Sequence, residues 1–540
     1  MQQHYKYNGL LNIYKEAGWT SMDVCARLRS ILHVKKIGHA GTLDPMAEGV
    51  LPVALGRATK SLDAVGEGIK EYRAGMLLGK ETDTEDVTGT VLSVFDGILP
   101  SEEAVREAVL SFTGSYDQLS PMYSARKVNG KKLYEYARAG VEVERKSRNV
   151  SIYSIQIEEM DLPHVRFTVQ CSQGTYIRSL CRDIGEKLGC GACMESLVRS
   201  RVGSFRIEDA VRIPEVAEAE KMQCVDALLR VAAPTAVSIG KFDGTHIGHQ
   251  ALFRELRKTA EELHLRTLVL ILKFGKTTVL PDEDRKQKLY DLGIDYCIEL
   301  EFTEEMKNMS AEEFLEKVLI GRFHMKAIVA GKDVTFGRGK AGNADFLYAN
   351  AEKYGYAVKL IEKVTAEDTG LKTNGTGESH EISSTMLREC IRNGEMERAA
   401  VLLGEPFFIS GQVVHGKGYA SSKMKYPTMN LEVPENLTLP PFGVYAVRCG
   451  IAGKDGLRTV NGIANLGERP TVNGSIEGGS RLRLEVHAFG EIGDCYGMEV
   501  RVDFCRFIRS ERKFEDLDAL MKQIREHDLP EAEAYFRENS

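Results

Sequence analysis

Three patterns of apolar and polar positions follow one another along the chain. In the first, apolar and polar residues alternate through "KEYRAGMLLGKETDTEDVTG" (Lys70–Gly89), which predicts a strand carrying Tyr72 and then an acidic loop. A second strand beginning near Val165 runs through "CSQGTYIRSLCRDIGEKLG" into a helix, with Tyr176 and Arg178 two residues apart. The pattern changes at Pro234. Ala236–Gly240 reads as a short strand and "KFDGTHIGH" as a loop, and Leu252, Phe253, Leu256, Ala260 and Leu263 fall on one face of a helix. "TLVLIL" (Thr267–Leu272) is then a strand buried on both sides, so the unit is βαβ and its sheet parallel. Strands around Ala327–Ala330 and Ala357–Ile361 continue the alternation. From about Glu405 β-branched and aromatic residues are broken at short intervals by Gly and Pro, the signature of an antiparallel barrel. The first two patterns are separated by "PEVAEAEKMQCVDALLRVAAPT", which is helical and acidic.

The predicted division is therefore 1–212, a helical linker 213–233, 234–395 and 396–540, within a multidomain chain of α+β and α/β parts. At 540 residues there is ample material for several cores. A hydrophobic fraction of 43% and a net charge of −7 are ordinary for globular protein and announce no global polycation. No secretory or membrane-spanning apolar run is visible, which points to a cytoplasmic protein without membrane partners. Eleven scattered cysteines do not form a disulfide framework, and the single "CGAC" pair reads as two reduced thiols.

Local chemistry changes this bland picture. In "GHAGTLDPMAEGVLPVALGRATK" (residues 38–60), Gly38 and Gly41 permit a tight loop and Pro45 keeps Asp44 out of helical geometry. Asp44 is thus presented on a rigid loop, as a catalytic carboxylate or as a residue that closes a turn. "RKVNGKKLYEYARAGVEVERKSR" (Arg126–Arg148) holds eight Lys/Arg against three Glu, with Tyr134 and Tyr136 interleaved. That run suits contact with phosphates, or a solvated face.

Together with "LVRSRVGSF" (Leu197–Phe205), these segments resemble the tRNA pseudouridine synthase B family over about residues 8–212. The resemblance implies a mixed-sheet domain that isomerises uridine to pseudouridine at position 55, in the tRNA T loop, without cofactor or metal. The target base must be flipped out, at a cost of a few kcal/mol. By similarity, His39 fills the vacated space, Tyr72 stacks on the base and Leu197 walls the pocket. Asp44 is the catalytic carboxylate, Arg178 pairs with it, and Tyr176 serves in proton removal from C5. Arg126, Lys127, Lys131 and Lys132 are the expected RNA contacts. Many family members carry a small C-terminal RNA-binding domain; here the likeness is expected to end near Ile213, leaving no room for it.

In the middle pattern, His246 and His249 open a helix, where backbone N–H groups favour phosphate. The "HIGH" and "SSKMK" segments suggest a class I aminoacyl-tRNA synthetase, but "GKFDGTHIGH", "GKDVTFGRGKAG" and "ISSTMLRECIRNGEMERAAVLLG" do not belong to one. They resemble the bacterial bifunctional riboflavin kinase/FAD synthetase family over nearly all of 234–530, implying a Rossmann-like nucleotidyltransferase domain and then the kinase barrel. There Ser383, Ser384, Thr385 and Arg388 would grip ATP phosphates with His246 and His249. FMN attacks the α-phosphorus and pyrophosphate leaves. In the barrel the motifs "YPTMN", "PFGVYAV", "NGIANLGERPTV" and "LEVHAF" imply that Thr428 and Asn430 hold Mg²⁺. Gly416 and Gly418 would cover the ATP phosphates, and Glu485 would be the base for the ribityl hydroxyl. Taken alone, a strand Glu is a solvated or paired surface residue.

Three departures stand out. The second strand usually leads into Phe-x-Pro-His-Pro, whereas this chain has "LKFGKTTVLP"; Lys241 replaces an Asn; and "YASSKMKYPT" replaces Gly-Arg-x-x-Gly-Phe-Pro-Thr. The expected protein uses tRNA, riboflavin, FMN and ATP, and not DNA. Mg²⁺ and ATP serve the flavin half, and FMN and FAD are products rather than prosthetic groups. Two alternatives are a flavin half reduced to a regulatory nucleotide-binding module, and an N-terminal half that only folds tRNA.

Overall fold

A computed structural model describes residues 6–539 apart from 125, 129, 142, 223, 274–276, 302, 366–380, 415–427, 435, 454–455, 469–481, 491 and 494. The residues up to Pro234, with Gly321–His324, form one compact unit; Thr235–Ile320 and the residues from Met325 onward form another.

The first unit is built on a mixed sheet. Its main path runs Gly9–Lys15, Glu48–Leu55, Ala192–Val202, Lys70–Leu78, His164–Cys171, Ser147–Asp161 and Gly114–Leu119. Both strands expected from the alternation are present, and they pair antiparallel with Tyr72 opposite Val169. Glu48–Leu55 meets Ala192–Val202 closely at Gly49, where φ is +102° and a Cβ would lie 2.3 Å from the Arg199 carbonyl. Only glycine fits there. The helix Ser21–Leu32 starts at a capping box between Thr20 and Asp23, and the helix Ile177–Leu188 ends at Gly189 with φ +71°.

The stretch expected as a linker is instead folded into this unit. Leu10 and Arg230 exchange backbone hydrogen bonds at 2.9 and 2.8 Å, and Tyr14 N–H donates to Val211 O at 2.9 Å. The helix Ile213–Lys221 buries Val216 and Ala219. Unpaired backbone on the edge strand Gly9–Lys15 recruits the segment, and its few apolar residues give it a reason to stay.

In the second unit Thr235–Gly240, Arg266–Lys273, Tyr296–Glu301, Met325–Gly331 and Ala357–Ile361 form a five-stranded sheet whose pairs are all parallel. The helix Ile247–Glu262 buries Leu252, Phe253, Leu256 and Ala260. Leu263, expected on the same face, is 46% exposed because the helix stops one residue before it. A closed antiparallel barrel follows, in the order Phe407–Val414, Thr428–Glu432, Leu482–Ala488, Gly456–Glu468, Gly443–Gly453, Glu499–Ser510. The helices Ser384–Arg392 and Met396–Leu403 flank the boundary expected at 395. Both share one apolar core with the barrel, through Leu387, Ile391, Leu402 and Phe407. Among the described residues no helix is long and apolar enough to cross a membrane.

Candidate active sites

Asp44 lies between the strands Ile37–His39 and Glu48–Leu55, on backbone held from three sides. Leu43 N–H donates to Ser21 Oγ at 3.0 Å. Lys15 Nζ donates to Ala47 O at 2.6 Å and Pro45 O at 3.2 Å. Arg199 donates to Gly41 O at 2.9 Å and Val50 O at 2.8 Å. These three side chains are buried. Burial pushes the Lys15 ammonium down to about 8, against the pull of the Asp44 carboxylate. The carboxylate itself is 33% exposed and meets Arg178, which is 4% exposed. Arg178 Nε donates to Oδ2 at 2.8 Å and Nη2 to Oδ1 at 3.0 Å, a bidentate fork. The remaining guanidinium bonds go to Thr84 O at 2.9 Å and Tyr123 O at 2.8 Å, so the fork cannot swing.

Tyr72 and Leu197 belong to the same apolar cluster as Leu43 and Ile177, the residues immediately before Asp44 and Arg178. Burial raises the Tyr72 hydroxyl pKa, with Arg199, its cross-strand neighbour, pulling the other way. His39 is partly buried, its Nδ1 lacks a hydrogen-bond partner, and burial followed by Arg199 lowers its pKa. Tyr176 caps the helix that carries Arg178. Gln118 holds its backbone, accepting from N–H at 2.8 Å and donating to the carbonyl at 3.0 Å. The structure thus gathers Asp44, Arg178, Tyr72 and Leu197 around one loop and its apolar wall. Lys15, Ser21 and Arg199 were not among the residues expected here. A lysine ending the apolar run "LLNIYK" was the available signal for Lys15.

The basic stretch is a short hairpin, Lys127–Val128 with Lys131–Lys132, followed by the helix Leu133–Arg138. Arg126 uses one guanidinium nitrogen internally, Nη1 donating to Ser120 Oγ at 2.9 Å and to Lys146 O at 2.8 Å. Lys131 is exposed, while Lys132 and Arg138 sit 5.4 and 5.3 Å from the Tyr134 ring centre. The Lys127 side chain lies outside the described residues.

In the parallel-sheet domain a cavity of about 750 Å³ is lined by Lys241, His246, His249, Lys340, Ser383 and Ser384. The two imidazoles stack at 3.7 Å, and neither Nδ1 has a partner. Burial, with the nearby Lys288 cation, lowers His246 to about 4; burial and then His246 push His249 well down. Both rings are therefore neutral near pH 7, each with one N–H to donate. Ser383 caps its helix by accepting from Met386 N–H at 3.3 Å. Ser384 donates to Asp243 O at 3.1 Å. Arg388 pairs with the Asp243 carboxylate, and Thr385 is exposed.

In the barrel Asn430 stands opposite Glu485 across paired strands. Arg483 donates to Asn430 Oδ1 at 2.9 Å and pairs with Glu485 at 2.9 Å. With that oxygen engaged by a cation, Asn430 as placed does not fit a divalent ion. Gly416, Gly418 and the Thr428 side chain lie outside the described residues.

Comparison with known proteins bears on all three sites. The TruB family pseudouridylate synthase N-terminal domain matches residues 29–177, and the tRNA pseudouridylate synthase B C-terminal domain matches 178–234. The likeness therefore does not end near Ile213, and a C-terminal domain does have room, in the segment that folds back onto Gly9–Lys15. FAD synthetase matches 229–374 and riboflavin kinase 403–536, which favours catalysis over a purely regulatory flavin half. Both families use ATP with a metal.

The chain is 50% identical over 227 residues to tRNA pseudouridine synthase B of Alkaliphilus oremlandii, covering 42% of this chain and 75% of that one. With tRNA pseudouridine synthase B of Lachnoclostridium phytofermentans it is 53% identical over 230 residues, 41% of this chain and 75% of that one. A solved structure described as a macrolide-efflux protein from Streptococcus pneumoniae aligns at 28% identity over 56% of this chain and 94% of its own, with a TM-score of 0.47. From these matches, the chain belongs to the tRNA pseudouridine synthase B family and joins to it, in one trifunctional polypeptide, an FAD synthetase and a riboflavin kinase.

Proposed function

We propose that the first active site isomerises the uridine at position 55 in the tRNA T loop, with Asp44 as the carboxylate that triggers glycosidic cleavage. The observation that carries this is the bidentate Arg178–Asp44 pair on a loop clamped by Lys15, Ser21 and Arg199. Such preorganisation suits a group that must meet one atom of a flipped base. Tyr72 stacks on that base, Leu197 walls it, and His39 occupies the gap left in the RNA. Tyr176 takes part in removing the C5 proton once the base has turned over. The exposed Lys131, with Lys132, Arg126 and Lys127, contacts tRNA phosphates. The reaction uses no cofactor or metal, since isomerisation transfers no electrons and needs only a carboxylate and proton transfer.

In the flavin half, Glu485 takes the proton of the riboflavin 5′-hydroxyl as it attacks the γ-phosphorus of ATP, and ADP leaves with the bridging oxygen. At the second site His246, His249, Ser383 and Ser384 surround the triphosphate, and FMN displaces pyrophosphate from the α-phosphorus. Thr385 and Arg388 join that grip, Arg388 through guanidinium nitrogens that Asp243 does not engage. In the kinase, Gly416 and Gly418 cover the phosphates. The metal would be Mg²⁺, a hard ion that prefers oxygen donors and would neutralise phosphate charge. Thr428 and Asn430 would be its protein-side oxygen donors, Asn430 only where its Oδ1 were not bonded to Arg483. FMN and FAD leave as products. The natural division is a synthase part up to about 233, then 234–395 and 396–540. The location is cytoplasmic, without DNA or membrane partners.

One experiment tests the whole reading. Purified protein is incubated with riboflavin, Mg-ATP and unmodified T-arm RNA, and pseudouridine, FMN and FAD are followed together. Absence of any one product removes the corresponding activity.

A further inference from the structure

At "KFGKTTVLP" the departure from the usual pattern changes which backbone groups can hydrogen-bond. Counting from Phe274, the residues Phe-Gly-Lys-Thr-Thr occupy the five positions of Phe-x-Pro-His-Pro, so Thr278 stands where the pattern has its second proline. A proline has no N–H to donate. Here Thr278 N–H donates to Asn436 O at 2.8 Å, and Thr438 N–H donates back to Thr278 O at 2.7 Å. Residues 436–438 belong to the kinase part of the chain, just beyond the strand Thr428–Glu432. The next residue, Val279, donates its N–H to Asp243 Oδ1 at 2.7 Å. The other Asp243 oxygen holds Arg388, and the Asp243 carbonyl accepts from Ser384 Oγ at 3.1 Å. Packing follows the same line. A Cβ at Gly244 would lie 2.7 Å from Leu387 Cδ2 and 3.3 Å from the Val279 Cβ, and Val279, Leu387 and Leu437 share one core.

We propose that the kinase barrel braces the adenylyltransferase site through the Thr278 N–H, and that Asp243 is the positioning residue that passes the brace on. Asp243 precedes His246 by three residues and touches the helix of Ser384 and Arg388, so it sets the distance between the two phosphate-gripping segments. This rests on the adenylyltransferase reading of residues 234–395.

Thr278→Pro deletes the donor and restores the usual residue; Thr278→Val keeps the N–H and removes only a hydroxyl that has no hydrogen-bond partner. FMN-to-FAD and riboflavin-to-FMN rates are measured separately in full-length protein. A misplaced catalytic segment costs on the order of 10²-fold, so Thr278→Pro should lose about that much in kcat for FAD formation. Its KM for ATP and its riboflavin phosphorylation should stay within about twofold, as should both reactions of Thr278→Val. Asp243→Asn combined with Thr278→Pro should lose less than the product of the single losses, because both act on one linkage. FAD formation at the wild-type rate in Thr278→Pro, an equal fall in both activities, or multiplicative losses in the double variant would each overturn the brace. If Thr278→Pro does not fold, Thr438→Pro removes the second bond from the barrel side and is read the same way. Equal FAD formation by wild type and His246→Ala would instead sink the adenylyltransferase reading itself.

Discussion

Replacing Arg178 by Lys isolates what the guanidinium does for Asp44. Arg178 makes four hydrogen bonds: two to the Asp44 carboxylate at 2.8 and 3.0 Å, one to Thr84 O at 2.9 Å and one to Tyr123 O at 2.8 Å. Lysine keeps the charge but offers one nitrogen on a shorter reach, so it replaces at most one or two of them. A hydrogen bond to a charged group contributes about 1.5–3 kcal/mol, and each orphaned buried carbonyl costs about 1–3. Asp44 is 33% exposed, so water takes over part of the carboxylate's bonding and the lower end of those ranges applies. Folding stability of the first unit should therefore fall by roughly 2–3 kcal/mol.

The larger effect is on aim. A carboxylate freed to rotate misses its attack geometry, and kcat should drop by about 10²-fold. KM for RNA should hold, because a side chain 4% exposed has little surface to offer the substrate. The assay is tritium release from T-arm RNA labelled at uridine C5, with urea unfolding measured in parallel. Wild-type kcat in folded Arg178→Lys would refute the claim that the fork aims Asp44.

Four further outcomes follow from the same geometry. Asp44→Asn should abolish pseudouridine formation and leave riboflavin phosphorylation intact; turnover by Asn-containing protein shown free of deamidation rules this out. Neutralising Lys131 and Lys132 should flatten the dependence of tRNA affinity on salt, and an unchanged slope makes the hairpin a solvated face. Glu485→Gln should stop FMN production without loss of ATP binding, checked by equilibrium binding beside the kinase assay. Burial holds folded His246 near 4 against an ordinary 6.5, so between those values the unfolded chain binds more protons and stability rises with pH. That contribution is lost as pH falls from 6.5 toward 4, and His246→Asn should show a shallower loss in acid unfolding; an identical profile contradicts it.

Much of the fold was legible because its periodicities are strong. The run "TLVLIL" could only be a strand covered on both faces, and the alternation around Tyr72 required a strand with two different sides. Leu263 was misplaced because helical periodicity does not say where a helix stops. The segment 213–233 read as a linker because its composition is acidic and sparse in apolar residues. Its partner, the edge of Gly9–Lys15, lies some 200 residues away in sequence, and pairing at that distance leaves no local trace.

The candidate sites divide along the same line. Asp44, His246 and Ser383 stand in motifs whose spacing carries their chemistry, since the loop or helix start that presents each of them is local; Glu485, inside a strand, is singled out only by resemblance. Lys15, Ser21 and Arg199 have no such motif. They matter only because the sheet brings residues 15 and 199 beside the loop at 44, where buried donors find backbone carbonyls to satisfy. The Arg178–Asp44 fork was expected from resemblance, but its rigidity comes from Thr84 O and Tyr123 O, which only tertiary packing supplies. Likewise "FGKTTVLP" by itself shows a loss of two prolines. Only the folded chain reveals that the amide regained at Thr278 is bonded to the barrel. Sequence determines which chemical groups and local shapes are present, because propensity and periodicity act over a few residues. Tertiary structure decides which of those groups share a dry, low-dielectric space, and there each hydrogen bond or ion pair acquires its strength and direction.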